Sequence, residues 1–248
     1  MEPAVEPGRV GSDERVRALH EEAFVRLDAE DTQRLIGAGA MASWDGFAAS
    51  WEDLGDDRYM ADGGRYRRRR YAAFARKGAG LVRKAHQPHY QSRDYNPLNG
   101  DVQRWFAPVS ETIAAHPVTQ AIFALCLQSI DAASGHEAGH AVPWQVEFHQ
   151  FRIEASSGEA GRPTPEGMHR DGVDWVFVML VRRENVRDGV TEIGDADGAP
   201  LGRFLLQAPG DAVLLDDRRI RHGVTEIHPL DPERPAFRDV LVVTFAAP

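Results

Sequence analysis

Two periodicities divide the chain. In the first half, apolar residues recur at helical spacing: Val16, Leu19, Ala23 and Leu27 follow Ser12 and Asp13, either of which can cap a first turn. Residues 110–131 also predict a helix, broken at Pro117, with Val118, Ile122, Leu125 and Ile130 on an apolar face suited to lie against a sheet. Between them, residues 40–62 mix Trp44, Gly46, Trp51 and Gly55 without a period, which predicts irregular chain or short helix. From Val142 onward the pattern becomes β-branched and aromatic. Short runs at 145–153, 173–181, 189–193, 203–207, 212–216, 223–227 and 240–245 are separated by Gly, Pro and Asp. The pattern predicts a mostly β fold, an antiparallel sandwich or barrel buttressed by N-terminal helices. A single domain is expected over 13–248, behind a disordered tail at 1–12.

Charge narrows the partners. With 38 acidic and 29 basic side chains, the net charge of -9 repels a phosphate backbone, so nucleic acid is not expected as a partner. The run Arg67, Arg68, Arg69, Arg70 alternates between faces on a strand, and we read it as a solvated or ion-paired stretch, not a binding patch. The single cysteine, Cys126, sits in an apolar run and reads as a buried thiol; with no second thiol, an intrachain disulfide and a thiolate zinc cluster are both ruled out. No segment approaches the roughly 18 uncharged apolar residues of a membrane span. The start of the chain, acidic and proline-rich from Met1 to Gly8, lacks the pattern of a signal peptide, so the cytoplasm is the expected location and no membrane partner is foreseen.

The chemistry concentrates in the second half. His169 and Asp171 lie two apart just before an apolar strand, where extended chain points both to one side. About fifty residues on, His222 stands at the start of another strand and can face them across a barrel mouth. Two histidines and one carboxylate on one face of an octahedron leave three positions open, the arrangement of non-haem Fe(II) oxygenases. On the last strand Arg238, Val240, Val242 and Thr244 share a face, so a guanidinium heads an otherwise apolar row. Buried there it needs a carboxylate, and the distal carboxylate of a 2-oxo acid would serve; the other reading pairs Arg238 with Asp239 at the rim.

Together these residues resemble a known family, the bacterial 2-oxoglutarate- and Fe(II)-dependent dioxygenases typified by L-isoleucine 4-hydroxylase. The resemblance rests on His86-Gln87-Pro88-His89-Tyr90-Gln91, Tyr95-Asn96-Pro97-Leu98, Arg104-Trp105-Phe106, His149-Gln150-Phe151-Arg152, His169-Arg170-Asp171-Gly172 and Arg221-His222-Gly223-Val224-Thr225. It implies a double-stranded β-helix, or jelly roll, with Fe(II) on His169, Asp171 and His222 and 2-oxoglutarate anchored by Arg238. It further implies O2 as cosubstrate, ascorbate as a reductant in vitro, and succinate and CO2 released as an unactivated C–H bond is hydroxylated. Other 2-oxoglutarate enzymes often carry a hydroxyl residue two positions after this arginine, but Val240 stands there, so Thr244 or a polar residue of 145–153 would assist, and His149 is a further candidate for contact with the cosubstrate. A small-molecule substrate, a free L-amino acid, is implied, with Gln91, Tyr95 and Arg104 as candidate contacts.

Two rival readings stand beside this one. His136, Glu137 and His140 match the HExxH pattern of zinc metallohydrolases, which requires a helix, yet Gly139 lies inside it, Gly135 precedes it and Pro143 follows. The other is a non-enzymatic cupin-like ligand-binding sandwich.

Overall fold

The computed structural model describes residues 11–98, 100–135 and 141–248. In chain order the elements are α1 (Ser12–Glu21), β1 (Phe24–Leu27), α2 (Ala29–Ile36), α3 (Ala38–Met41) and α4 (Trp44–Ala49), then a 3-10 turn (Ser50–Asp53), β2 (Gly55–Asp56), β3 (Arg67–Lys77), β4 (Gly80–Arg83) and β5 (Ala107–Pro108). Next come α5 (Glu111–Ala114), α6 (Pro117–Ala133), β6 (Gln145–Ala155), β7 (Trp175–Glu184), β8 (Val186–Asp188), β9 (Val190–Asp195) and β10 (Pro200–Leu205). The chain closes with β11 (Ala212–Asp216), β12 (Ile220–Val224), β13 (Ile227–Pro229) and β14 (Ala236–Ala246).

The main sheet runs β1-β11-β7-β14-β6-β3-β2, with β14 antiparallel to both β6 and β7. Two smaller sheets, β10-β9-β12 and β13-β8, form the facing layer. Ile193, Phe204 and Ile220 from that layer pack on Val176, Val213 and Leu215 of the main sheet, which completes the jelly roll. Alternation sends Leu241, Val243 and Phe245 of β14 the other way, into a core with Trp51, Ile122 and Phe123 from the helical layer. That core holds Cys126, fully buried as expected. Trp51 also donates its indole N–H to the carbonyls of Phe151 (3.0 Å) and Val240 (3.3 Å), pinning the helical layer to β6 and β14.

Pro117 breaks the helical stretch as expected, because it opens α6 at a first-turn position where its missing N–H costs nothing, and His116 caps the new helix through Nδ1. The first helix is shorter than its spacing predicts. It ends at Glu21, and Leu27 belongs to β1, paired with Ala212; Gly11 is its N-cap, without help from Ser12 or Asp13. The arginine run is ion-paired, as expected, through Asp57, Glu154 and Asp53. It opens β3, and alternation splits it: Arg68 and Arg70 pair with Glu154 and Asp53 at the outside, while Arg67 and Arg69 are buried on the inner face. Among the described residues no helix is long and apolar enough to cross a membrane. The HExxH residues, 136–140, and residues 1–10 of the predicted tail lie outside the described residues.

Candidate active site

Between the two layers lies a cavity of about 510 Å³. Along the main sheet its lining is aliphatic on β7 and β14, from Val176, Val178, Val240 and Val242, and turns mostly polar on the neighbouring strands β6 and β3.

His169 and His222 face each other across an isolated antiparallel bridge, His169 N–H to His222 O and His222 N–H to His169 O, each 2.9 Å. The structure therefore brings together three side chains drawn from two distant segments. Nε2 of His169 is 3.6 Å from one Asp171 oxygen and Nε2 of His222 is 3.5 Å from the other. One donor atom from each of the three lies within 4.8 Å of the rest. These separations exceed a hydrogen bond, yet two donors at ~2.1 Å from an octahedral ion stand roughly 3 Å apart, so the spacing suits a cation between them. His169 donates from Nδ1 to the Gly167 carbonyl (3.0 Å), which leaves Nε2 with its lone pair turned inward. Nε2 of His222 is buried without a hydrogen-bond partner. Burial pushes the His222 imidazole down, but Asp171 and Asp217 override it and raise it to about 9; the same imidazoles hold Asp171 well below the usual carboxylate range against its burial. The donor set thus fits a divalent cation, whose charge would replace the protons that these carboxylates otherwise attract.

The support for the triad was not legible in the sequence. Asp217, fully buried at the end of β11, accepts the backbone N–H groups of Asp171, Gly172 and Val173 and so clamps the turn that carries Asp171. Gln91, a candidate substrate contact by sequence, is committed elsewhere. Its amide donates to the Asp171 carbonyl (2.9 Å) and its oxygen accepts from Asn96 and Arg104, so it positions Asp171. Tyr95 packs on Gly172 beside that turn and is 38% exposed; Arg104 is buried and lines the cavity, its Nε without a partner.

Arg238 reaches the cavity at the other end of the inner face. It is 1% exposed, and Nε and Nη2, the edge that grips a carboxylate in a fork, have no partner. Burial, with Arg183 nearby, pushes its guanidinium down to about 10. The rim pairing with Asp239 is not formed: Asp239 points to the helical side, where Arg152 holds it in a bidentate pair at 2.7 and 2.8 Å. Thr244 and His149 line the same cavity, but Thr244 is six residues along the strand from Arg238, ~20 Å away, and lies opposite Glu147, while His149 lies opposite Val242. Neither can share a carboxylate with Arg238.

A second cluster, His89, Glu147 and His149, has donor atoms as close together as the first. It does not suit a metal. His149 Nδ1 lies 2.7 Å from Arg69 Nη2, and a guanidinium can only donate, so the proton of the neutral ring is on Nε2, facing Glu147. Burial, with Arg69 alongside, pushes His149 down to about 3 and keeps it in that neutral form.

Comparison with known proteins agrees with this geometry. A family model described as 2OG-Fe dioxygenase matches residues 48–244. The solved structure of a bsmA homologue from Methylobium petroleophilum superposes with a TM-score of 0.87 at 35% identity, over 97% of this chain and 95% of that one. The chain is 26% identical to a 3(1)-hydroxy-L-isoleucine 4-dioxygenase of Pantoea ananatis over 159 residues, 64% of this chain and 63% of the relative. It is also 26% identical to an L-isoleucine-4-hydroxylase of Bacillus thuringiensis over 166 residues, 64% of this chain and 65% of the relative. Both matches span just under two thirds of the relatives' own length. With a jelly roll whose mouth gathers two histidines and an aspartate, and a family model that covers most of the same residues, the chain belongs to the 2OG-Fe dioxygenase family, oxidoreductases that use Fe(II), 2-oxoglutarate and O2.

Proposed function

We propose that the protein is a hydroxylase of a free L-amino acid, with Fe(II) on His169, Asp171 and His222 and 2-oxoglutarate anchored by Arg238. The observation that carries this reading is the pairing of two unsatisfied groups in one cavity: the inward Nε2 of His222 at the mouth and the unpartnered fork of Arg238 deeper in. Iron, 2-oxoglutarate and O2, when bound, supply the oxidising power, with succinate and CO2 as coproducts of hydroxylating an unactivated C–H bond.

The chain's own residues do the positioning. Arg238 fixes the far carboxylate of the cosubstrate and so its orientation. Gln91 and Asp217 hold the Asp171 turn, one through its side-chain amide and the other through three backbone N–H groups. The valine wall keeps water from the reacting carbon. The amino-acid substrate is supported by the relatives named for isoleucine and hydroxyisoleucine.

The test is succinate formation under air with Fe(II), ascorbate and 2-oxoglutarate, screened across the proteinogenic L-amino acids, for the wild type and Asp171→Ala. Succinate that rises with an amino acid and vanishes in the variant supports the reading. A protein that binds no iron under these conditions refutes it.

A further inference from the structure

Glu147 is a half-buried carboxylate that takes no part in the metal triad. It stands on the inner face of β6, between Ala73 of β3 and Thr244 of β14. One of its oxygens accepts from Tyr71 Oη at 2.8 Å and both lie 3.1–3.2 Å from His89 Nδ1. His149 offers Nε2 at 3.5 Å, too long to be a good hydrogen bond. Two neutral donors therefore hold the carboxylate in place, and His89 and His149 keep it well below the usual carboxylate range against its burial. A carboxylate has about four acceptor sites, so sites remain for a ligand, and the side chain is 27% exposed where it lines the cavity.

Two cations stand on the same wall. Arg69 is 3% exposed and Arg104 is 2% exposed, both line the cavity, and the Nε of each is buried with no partner. Arg67, their neighbour, is satisfied by Asp57 at 2.7 Å; Arg69 meets the same carboxylate only at 3.7 Å and stacks between Phe106 and Phe151, and Arg104 donates to the Gln91 oxygen at 3.4 Å. These three buried guanidiniums have one buried carboxylate, Asp57, among them, an excess of positive charge that an anion arriving in the cavity would offset. The 2-oxoglutarate anchor is not that place, because Arg238 is at the far end of the strand.

The cluster is tied to the metal turn. His89 and Arg104 form a backbone bridge, with N···O distances of 3.0 and 2.9 Å, so the donor to Glu147 and the Arg104 guanidinium come from one small platform. Gln91, two residues beyond His89 and ~7 Å away in extended chain, reaches Asp171. Thr244 is flanked by Glu147 on one side and Val176, at the start of β7, on the other, which places Glu147 at the end of the sheet where the Asp171 turn enters.

We infer that Glu147 and the Arg69–Arg104 pair form a cradle for a zwitterion: Glu147 receives the substrate ammonium, and the cavity-lining guanidiniums of Arg104 and Arg69 receive its carboxylate. The inference rests on the amino-acid reading above and adds to it the residues that enforce it. Substrates are then defined by both head groups together, while the valine wall accepts an aliphatic side chain.

The experiment is calorimetric binding to the Fe(II) and 2-oxoglutarate complex without O2. The probes are the twenty proteinogenic L-amino acids, then the tightest of them beside its deamino carboxylic acid and its decarboxylated amine. The wild type is expected to bind the amino acid at least tenfold more tightly than either analogue. Glu147→Gln is expected to bind it roughly ten- to hundredfold more weakly and to lose its preference over the deamino acid. Glu147→Asp, which keeps the charge, should retain that preference, and Arg104→Gln should lose the preference over the amine. Thermal melting establishes that each variant is folded; if Glu147→Gln is not, Arg104→Gln decides. A folded Glu147→Gln that keeps the preference for the amino acid, or a wild type that binds the deamino acid equally well, overturns the cradle and leaves the dioxygenase reading standing. A wild type that forms no succinate from 2-oxoglutarate and iron with any of the amino acids refutes the earlier reading, and the cradle falls with it.

Discussion

Arg238 is a stored cost. Its fork is buried with no anion, so replacing it with an apolar residue of similar length should stabilise the ligand-free protein even as it removes the proposed cosubstrate anchor. For Arg238→Met the expected outcome is a melting temperature at or above the wild type's and a KM for 2-oxoglutarate raised at least ~30-fold, from the loss of ~2 kcal/mol or more that a buried charged pair is worth. Melting curves with and without 2-oxoglutarate check both halves: only the wild type should shift. Asp217 makes a complementary case. It is fully buried 3.4 Å from Nε2 of His222, and its carboxylate organises three backbone N–H groups of the Asp171 turn. Asp217→Asn should weaken iron affinity by roughly 10- to 100-fold, measured by titration with a competing chelator. The triad and Arg238 were legible because local spacing carries them, a two-residue step at His169 and Asp171 and strand alternation from Arg238. Glu147 and Arg69 were not, since their meaning comes from β3 lying beside β6, some eighty residues away in the chain, and no local pattern announces that pairing.

At the scale of elements, the turn before β7 depends on backbone geometry as much as on side chains. Gly172 has φ +81°, and a Cβ there would come within 2.4 Å of the Tyr95 ring. Gly172→Ala is expected to destabilise the fold by more than ~1 kcal/mol and to loosen the Asp171 turn, visible as a lower denaturation midpoint and weaker iron binding. The 3-10 turn is fastened to the sheet by charge. Glu52 meets Arg152 and Arg182, which in turn share Asp239 of β14. Hydrogen bonds from Arg152 and then Arg182 lower the Glu52 carboxyl from 4.5 to about 2. Its contribution is therefore complete above pH 4.5 and disappears as pH falls through about 2. The stability difference between wild type and Glu52→Gln should shrink over that window; the difference is small, because half of the Glu52 side chain is in solvent. Most strands were legible from alternating runs, and α6 from its apolar face. Strand β3 escaped because four arginines mask the period that Tyr71 and Phe74 continue, and β1 because its apolar residues also satisfy a helical spacing.

For the molecule as a whole, ligands and fold are one equilibrium. The proposed iron and 2-oxoglutarate sites exist only where the two layers face each other, so each ligand is expected to stabilise the folded chain by about 2.7 kcal/mol at a concentration a hundred times its dissociation constant. In a domain of this size that is roughly 5–10 °C in melting temperature, reversed by a chelator, and a scan with each ligand added in turn measures it. The order in which the sheet can be built follows from the place of β14. It is the strand that joins β6 to β7, yet it comes after every other strand in the chain. Until it is inserted, β6 and β7 are bare edges of two unconnected half-sheets, and the cavity has no floor. Folding is therefore dominated by long-range pairing and is slow, and the half-sheets are vulnerable to joining the edges of other chains until β14 arrives.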